Sequence, residues 1–169
     1  MYIKIIGILH LLLAIIIPLY GLLFKKSDYD KLYLFYEILL VISWTFYDGE
    51  CVVSYYSKKY KDNNYVAGFD TLDLHDIHDI FGKNNKNIMD MLIALSLILN
   101  VISIYIVLSR NQYPNIISFM FPFIYATYVI FLRIKCNDYD FVHQIYKFIS
   151  IILLIFMLNK EKIITTTYN

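Results

Sequence analysis

The chain has 169 residues, 59% of them hydrophobic, and a mean hydropathy of +0.56. So apolar a composition excludes an ordinary soluble domain and predicts a protein surrounded by lipid. The 15 basic side chains nearly balance the 14 acidic ones, and the sequence has no long basic run, which excludes a nucleic-acid partner.

Three uncharged runs, residues 5–24, 91–108 and 116–132, set the fold class. Each has about the 17–25 residues that cross a hydrocarbon core of about 30 Å. Their Ile, Leu and Val residues lack the period-two alternation of a transmembrane β-strand, and a helix in lipid pairs its own backbone groups. The sequence therefore predicts an all-α integral membrane bundle of about five transmembrane helices in one domain, residues 1–158, followed by a polar C-terminal tail at 159–169.

The first transmembrane helix is predicted over residues 3–24. Pro18 lies in its second half, where a bend is tolerated if neighbouring helices satisfy the freed carbonyl. The apolar stretch is longer than that of a signal peptide and ends without a small-x-small cleavage pattern. We therefore expect this segment to be retained as a helix.

The second transmembrane helix is predicted over residues 32–56, although three acids interrupt it. Placing an acid in the middle of a bilayer costs up to about 3 kcal/mol of insertion free energy. We therefore expect Glu37 to lie near one membrane face, and Asp48 and Glu50 to lie near the other, where that cost falls.

Residues 57–87 form a long polar connection that contains the pattern of an amphipathic surface helix at about 71–81. Asp70 and Asp73 suit its N-cap and first turn, and Gly82 suits the position after its C-terminus. Apolar residues recur between them at helical spacing. We expect this helix to lie on the membrane surface or against the bundle.

Three further transmembrane helices are predicted at residues 88–108, 116–132 and 141–158. In the first of these, small polar residues recur at spacings of four and three and therefore share one face. Such residues in lipid favour contact with a neighbouring helix. The stripe is predicted to face the interior of the bundle, and its members are Ser96, Asn100 and Ser103.

The distribution of basic residues predicts the orientation. Positive charge is favoured on the cytoplasmic side, so the N-terminus and the long loop are predicted to be cytoplasmic. Cys51 and Cys136 fall on that same side, where we expect reduced thiols, whereas the opposite orientation would make a disulfide between them plausible. The nine basic residues on the predicted cytoplasmic side are Lys4, Lys58, Lys59, Lys61, Lys83, Lys86, Arg133, Lys135 and Lys147, against six on the other, Lys25, Lys26, Lys31, Arg110, Lys160 and Lys162.

Two acids and a thiol flank a glycine at the end of the second predicted helix. Acids in a poorly solvated place have perturbed pKa values, and a thiolate is a nucleophile and a metal ligand. His10 lies at a similar predicted depth on the antiparallel first helix, so we predict a contact with Asp48. The catalytic candidates are His10, Asp48, Glu50 and Cys51.

A simpler interpretation of the same segment remains open. The acids mark the point at which the helix leaves the lipid, and the surrounding aromatic residues form an interfacial belt. Ionisable residues deep in a membrane are functional by default, whereas interfacial ones are not. The belt residues are Trp44, Tyr47, Tyr55 and Tyr56.

A second candidate site lies in the predicted surface helix. His75, His78 and Asp79 share one side at spacings of three and four, as metal ligands on a helix do. The sequence lacks a His-Glu-x-x-His signature, and a solvated acidic face that complements the helix dipole explains the same residues. A metal site there would need further ligands, for which Glu50 and Cys51 are available.

The order of motifs resembles a family of small uncharacterised bacterial inner-membrane proteins. The matching residues are His10 with the two leucines after it, the Gly49-Glu50-Cys51 turn, and residues 65–69, Tyr-Val-Ala-Gly-Phe. The Cys-Pro-Leu-Thr run of that family is replaced here by residues 51–54, Cys-Val-Val-Ser. The segment 44–56 also looks like small membrane proteins of large DNA viruses. The resemblance implies a multi-pass membrane protein and carries no assigned function.

Two functions remain open. The sequence lacks a nucleotide-binding glycine loop, a nucleophile elbow, a Cys-x-x-Cys pair and a zinc motif, which favours a non-enzymatic structural or interaction component. Its expected partners are the lipid bilayer and either a second copy or other membrane proteins, and no cofactor is predicted. The alternative is a small membrane-embedded enzyme or transporter with an acid and thiol site at Asp48, Glu50 and Cys51, near His10.

Overall fold

The computed structural model describes residues 2–68, 86–133 and 140–167, and every regular element in these ranges is a helix. The all-α class is therefore confirmed for the described chain. The predicted surface helix at 71–81 lies outside the described residues. The six helices are α1, Tyr2–Leu23; α2, Tyr29–Phe46; α3, Val52–Lys61; α4, Lys86–Arg110; α5, Asn115–Arg133; and α6, Asp140–Thr167.

Four of these helices are long and apolar enough to cross a membrane. The segments lie in α1, α4, α5 and α6, where the sequence predicts four of its five spans. α2 is not among them, because its 18 residues include three charged side chains. The four segments are Ile5–Leu23, Met91–Arg110, Asn115–Leu132 and Phe141–Asn159.

The prediction of one continuous helix over residues 32–56 is wrong. α2 ends at Phe46, the chain turns, and α3 begins at Val52. Asp48 and Gly49 have φ angles of 49° and 89°, in the left-handed region that aspartate tolerates and glycine enters freely, and two such residues end a right-handed helix. As a consequence, Glu50 lies in a turn, and Glu37 falls at the middle of α2.

The position of Glu37 differs from the expectation of a place near a helix end. α2 extends for eight residues before Glu37 and nine after it, or about 12–14 Å at 1.5 Å per residue. The expectation placed the helix end ten residues too late, because no apolar pattern reveals the break at Asp48 and Gly49. A buried acid therefore lies in the centre of the bundle.

α2 buries polar side chains and exposes apolar ones. Asp30 and Glu37 are fully buried, whereas Leu32 and Phe46 are 65% and 60% exposed. In water this arrangement would leave the large apolar side chains against solvent and remove acids from it. In lipid it is favourable, because the outer face meets hydrocarbon and the acids find partners on neighbouring helices.

α1 and α4 run parallel and in close contact. Ser96 donates a hydrogen bond to the carbonyl of Ala14 at 3.2 Å, and seven residues later in both helices the backbone N–H of Gly21 donates to Ser103 Oγ at 2.6 Å. A Cβ atom on Gly21 would lie 2.5 Å from the carbonyl oxygen of Ser103. Glycine is therefore required at this position for the two backbones to approach so closely.

The polar stripe of α4 faces the bundle interior, as predicted. Asn100 and Ser103 are 2% and 0% exposed, and Ser96 is half-buried against α1. α2 runs antiparallel to α4, because its early residue Asp30 meets Arg110 and its later residue Glu37 meets Asn100. The stripe therefore joins α1 and α2 to α4.

α5 and α6 complete the bundle. α5 returns antiparallel along α4 after a short turn, and α6 packs along α2. Tyr128 on α5 shares a hydrogen bond with His143 on α6 at 2.9 Å, and Tyr146 donates to Thr127 at 3.1 Å. The apolar core lies between α2, α4, α5 and α6. It includes Leu34 and Ile38 on α2 and Ile104 and Leu108 on α4.

Candidate functional site

Three fully buried carboxyl groups mark the polar positions of the bundle: Asp30 at the start of α2, Glu37 at its middle, and Glu50 in the turn after it. A buried carboxylate costs several kcal/mol unless hydrogen bonds and a cation compensate it. The partners of each acid therefore decide what it does.

Asp30 lies in the most complete of the three arrangements, which we call the Asp30 cluster: Asp30, Arg110, Asn111 and Tyr20. Arg110 forms a bidentate ion pair with the carboxylate, with its Nε 2.7 Å from Oδ2. Asn111 donates to Oδ2 at 2.6 Å, and the Tyr20 hydroxyl donates to Oδ1 at 3.0 Å. Both carboxylate oxygens are therefore satisfied.

Arg110 also reaches the end of α1. Its Nη1 donates to the carbonyl oxygens of Gly21 at 3.4 Å and Phe24 at 2.5 Å, and its guanidinium lies 5.7 Å from the centre of the Tyr20 ring. These carbonyls belong to the last turn of α1 and the residue after it, where a helix leaves acceptors unpaired. One arginine therefore connects the end of α1, the start of α2 and the end of α4.

The surroundings of Asp30 change its acidity. Asp30 precedes the apolar segment of α2, which begins at Leu32. Burial disfavours the charged form of the Asp30 carboxyl, whereas the guanidinium of Arg110 and the hydrogen bonds from Asn111 and Tyr20 stabilise it. The carboxylate is charged at neutral pH, as an ion pair requires.

Glu37 has neutral partners. The side-chain amide of Asn100 donates to its Oε2 at 2.9 Å, and the amide oxygen accepts from the Tyr33 hydroxyl at 3.1 Å. That hydroxyl lies 3.0 Å from Ser103 Oγ. Glu37 Oε1 is buried and has no hydrogen-bond partner among the described residues.

Glu50 is paired locally, in what we call the Glu50 cluster: Glu50, Lys58 and Tyr65. The ammonium group of Lys58 forms an ion pair with Oε1, and the hydroxyl of Tyr65 donates to the same oxygen at 2.5 Å. Lys58 Nζ also lies 3.3 Å from the Tyr65 hydroxyl. Glu50 precedes α3, and Lys58 lies about two turns into that helix. The cluster therefore connects the turn before α3 to the helix and to the loop after it.

Two of the predicted catalytic candidates come together. Cys51 Sγ lies 3.4 Å from His10 Nε2, with Cys51 half-buried and its thiol free. Cys51 also immediately precedes α3, at the N-cap position of that helix. The thiol therefore lies at a helix start with an imidazole within hydrogen-bonding distance.

The other two candidates make different contacts. Glu50 is taken up by Lys58 and Tyr65, and Asp48 is exposed and packed against Gly68, where an added Cβ would come within 2.8 Å of the Asp48 Cβ. The pairing of His10 with Asp48 stays a prediction.

The predicted metal ligands His75, His78 and Asp79 lie outside the described residues. Within residues 2–68, 86–133 and 140–167, no group of three or more His, Cys, Asp and Glu side chains could hold a metal ion.

Several of these polar contacts were not predicted from the sequence. Arg110 and Asp30 are 80 residues apart, and each looks like an ordinary charge at a helix end. The hydrogen bond between Glu37 and Asn100 was partly predictable, because the polar stripe of α4 requires polar partners on a neighbouring helix in lipid. Nothing in the pattern of α3 identifies Lys58 as a buried residue.

No protein-family profile, curated protein or solved structure matches the chain. The resemblance carried by His10, the Gly49–Cys51 turn and residues 65–69 therefore stays a prediction.

Proposed function

We propose that the chain is a five-span integral membrane protein with a non-enzymatic structural or interaction role. The observation that carries the proposal is the distribution of polarity: two buried carboxylates, those of Asp30 and Glu50, pair with cations of the same bundle, while large apolar side chains face outward on every long helix. Acids that form ion pairs inside the bundle belong to the fold and are not available to bind a substrate.

The parallel course of α1 and α4 supports the fifth span. Both helices are apolar enough to cross a membrane, and both start on the same side of the bundle, since residues 14 and 21 meet residues 96 and 103. The chain must therefore return across the membrane between Leu23 and Lys86. α2 is antiparallel to α4 and packs against both α4 and α6, which supports α2 as the returning helix.

The charges of α2 are compatible with this position. Its 18 residues measure about 27 Å, close to a hydrocarbon core of about 30 Å. Asp30 lies at its end and is paired with Arg110, and Glu37 accepts a hydrogen bond from Asn100. With five spans, the excess of basic residues on one side supports an N-terminus in the cytoplasm.

The proposed partners are lipid and other membrane helices, either of a second copy or of another protein. The outward faces offer wide apolar surfaces, with Phe119 and Phe123 on α5 each 62% exposed. Helices associate in lipid through van der Waals packing of such faces. Nucleic acid stays excluded as a partner by the near balance of charge.

Two measurements test the proposal. Alkaline carbonate should leave the protein in the membrane pellet, and release into the supernatant would contradict a membrane-spanning bundle. In its native host, a deletion should be complemented by Cys51→Ser as well as by wild type, with Cys136→Ser as the matched control. A correctly inserted Cys51→Ser protein that fails to complement would overturn the non-enzymatic role.

One observation favours a second function, a small membrane-embedded enzyme or transporter with a thiol centre. Cys51 and His10 are 3.4 Å apart and come from segments 41 residues apart in sequence. A cysteine at a helix start beside an imidazole has the chemistry of a nucleophile, with His10 accepting the thiol proton and the thiolate attacking an electrophilic carbon.

The rate of Cys51 alkylation tests the thiol centre. In a Cys136→Ser background, a small maleimide should react with wild-type Cys51 faster than with Cys51 in His10→Asn, because the variant lacks the neighbouring imidazole that accepts the thiol proton. Ser54→Ala, on the first turns of α3, serves as the control for local packing. Equal rates in wild type and His10→Asn would exclude activation by His10.

A further inference from the structure

Glu37 differs from the other two buried carboxyl groups. Asp30 and Glu50 each form an ion pair, with Arg110 and Lys58. For Glu37, the hydrogen-bond donor within the described residues is the neutral amide of Asn100, and the second carboxyl oxygen, Oε1, is buried without a partner. A structural ion pair therefore does not explain why this acid is present.

The hydrogen bonds around Glu37 have a defined direction. The Tyr33 hydroxyl has one hydrogen, and Asn100 Oδ1 can only accept, so that hydrogen is directed at Asn100. The Tyr33 hydroxyl also lies 3.0 Å from Ser103 Oγ, which accepts the N–H of Gly21 at 2.6 Å. At the other end of this network Asn100 donates to Glu37 Oε2, so the carboxyl group is an acceptor there.

The same geometry disfavours a metal cation as the ligand of Glu37. Asn100 presents its N–H to the carboxyl group and turns its oxygen toward Tyr33, so the amide supplies no oxygen ligand beside Glu37. Na⁺ and Ca²⁺ require several oxygen ligands. A proton requires only the free carboxyl oxygen.

The titratable groups that face Glu37 are also neutral. They are the phenols of Tyr33 and Tyr36 on α2 and of Tyr125 on α5. From α6, Lys147 points its ammonium group at the ring of Phe46, nine residues or about 13 Å along α2 from Glu37. On α4, Arg110 is paired with Asp30.

We propose that Glu37 is a proton-binding site at the centre of the bundle. The reaction is the formation of one O–H bond at Oε1: the carboxylate and a proton from water give the carboxylic acid, and the proton returns to water when the site empties. Asn100 holds the carboxyl group in place through Oε2. This role goes beyond a structural function and does not require the thiol centre.

Proton loss would leave one negative charge in a low-dielectric interior with only neutral partners. Such a charge is compensated by water or by movement of α2 away from α4 and α5. The packing of α2, which joins α4 to α6, therefore depends on whether Glu37 carries its proton.

Infrared difference spectroscopy of the protein in lipid vesicles tests the proposal. At neutral pH the wild type should show the C=O stretch of a protonated carboxyl group, and alkaline pH should remove it. The chain has three glutamates, Glu37, Glu50 and Glu161. Glu37→Gln should lose the band, and the matched control Glu161→Gln should keep it.

Two further measurements keep the test decisive. Labelling wild-type protein with ¹³C-glutamate should shift the band, which assigns it to a glutamate even if Glu37→Gln fails to fold. Asn100→Leu should leave the band present to more alkaline pH, since it removes the donor that stabilises the charged form. A spectrum without a protonated glutamate at neutral pH, or a band that persists in folded Glu37→Gln, would overturn the proposal.

Discussion

The Asp30 cluster and the Glu50 cluster both bury a carboxylate beside a cation, but they join different parts of the chain. Asp30 and Arg110 are 80 residues apart, and their contacts connect α1, α2 and α4. Glu50 and Lys58 are eight residues apart, and with Tyr65 they shape one turn and the start of one loop. The first is a tertiary connection and the second is a local one.

The two clusters also differ in how fully they compensate the charge. Both oxygens of Asp30 accept hydrogen bonds, and Arg110 spans the carboxylate in a bidentate pair. Glu50 concentrates its partners on Oε1, and its Oε2 is buried without a partner among the described residues. The comparison teaches that the bundle relies on the Asp30 cluster for its assembly, while the Glu50 cluster holds the segment that carries Cys51.

Removing the cation of the Asp30 cluster should have the largest effect. Arg110→Met leaves Asp30 buried without a cation, although Asn111 and Tyr20 still donate to it, and also removes the hydrogen bonds from Arg110 to the end of α1, so we expect a loss of about 3–5 kcal/mol in the free energy of unfolding. Unfolding in mild detergent measures it. The double variant Asp30→Asn with Arg110→Met should recover part of the loss because no charge remains buried. Wild-type stability in Arg110→Met would contradict the tertiary role of this pair.

Removing the cation of the Glu50 cluster should have a smaller and more local effect. In Lys58→Met the hydroxyl of Tyr65 still donates to Glu50, so we expect a loss of about 1.5–3 kcal/mol, the contribution of a hydrogen bond to a charged group. The same unfolding measurement applies. The comparison between the clusters would fail if Lys58→Met were more destabilising than Arg110→Met. Lys61→Met, at the end of α3, is the control for loss of charge.

The close approach of α1 to α4 beside the Asp30 cluster offers a third test. Gly21→Ala places a Cβ 2.5 Å from the carbonyl oxygen of Ser103, and backbone must move to relieve the contact. Overpacking of this kind costs about 1–3 kcal/mol. Leu22→Ala, on the exposed side of the same turn, is the matched control. Equal stability of the Gly21→Ala and Leu22→Ala proteins would contradict this helix contact.

The smallest expected effect is on the pH dependence of stability, which tests the charge of the Asp30 cluster. Protonation of Asp30 removes its ion pair with Arg110, so the contribution of this pair to stability is lost in acid. We expect Asp30→Asn to lack this acid-dependent loss. A melting temperature that falls equally with acid in both proteins would contradict the assignment to Asp30.

The sequence predicts the helical class and the four apolar spans because long uncharged runs have few alternatives in lipid. It also predicts the inward face of α4 from the spacing of Asn100 and its polar neighbours. Both depend on local periodicity. The break after Phe46 was missed because Asp48 and Gly49 are short polar residues in an otherwise aromatic segment, and left-handed backbone has no periodic signal.

The candidate site was predicted in part. His10 and Cys51 are both candidates predicted from the sequence, but depth alone does not predict their contact with each other, and the pairing of His10 with Asp48 stays a prediction. The turn shifts Cys51 to the start of a new helix, which no continuous helix could do. Glu37 was assigned to a helix end, because its central position follows only from where α2 begins and ends.

The central claim is that α2 returns across the membrane between the parallel helices α1 and α4. Single cysteines, Ser27→Cys before α2 and Asn63→Cys after α3, test it in a Cys51→Ser and Cys136→Ser background, since both positions are exposed. In intact cells, a membrane-impermeant maleimide should label Ser27→Cys, and Asn63→Cys only after permeabilisation. Labelling of both cysteines from the same side would contradict the claim.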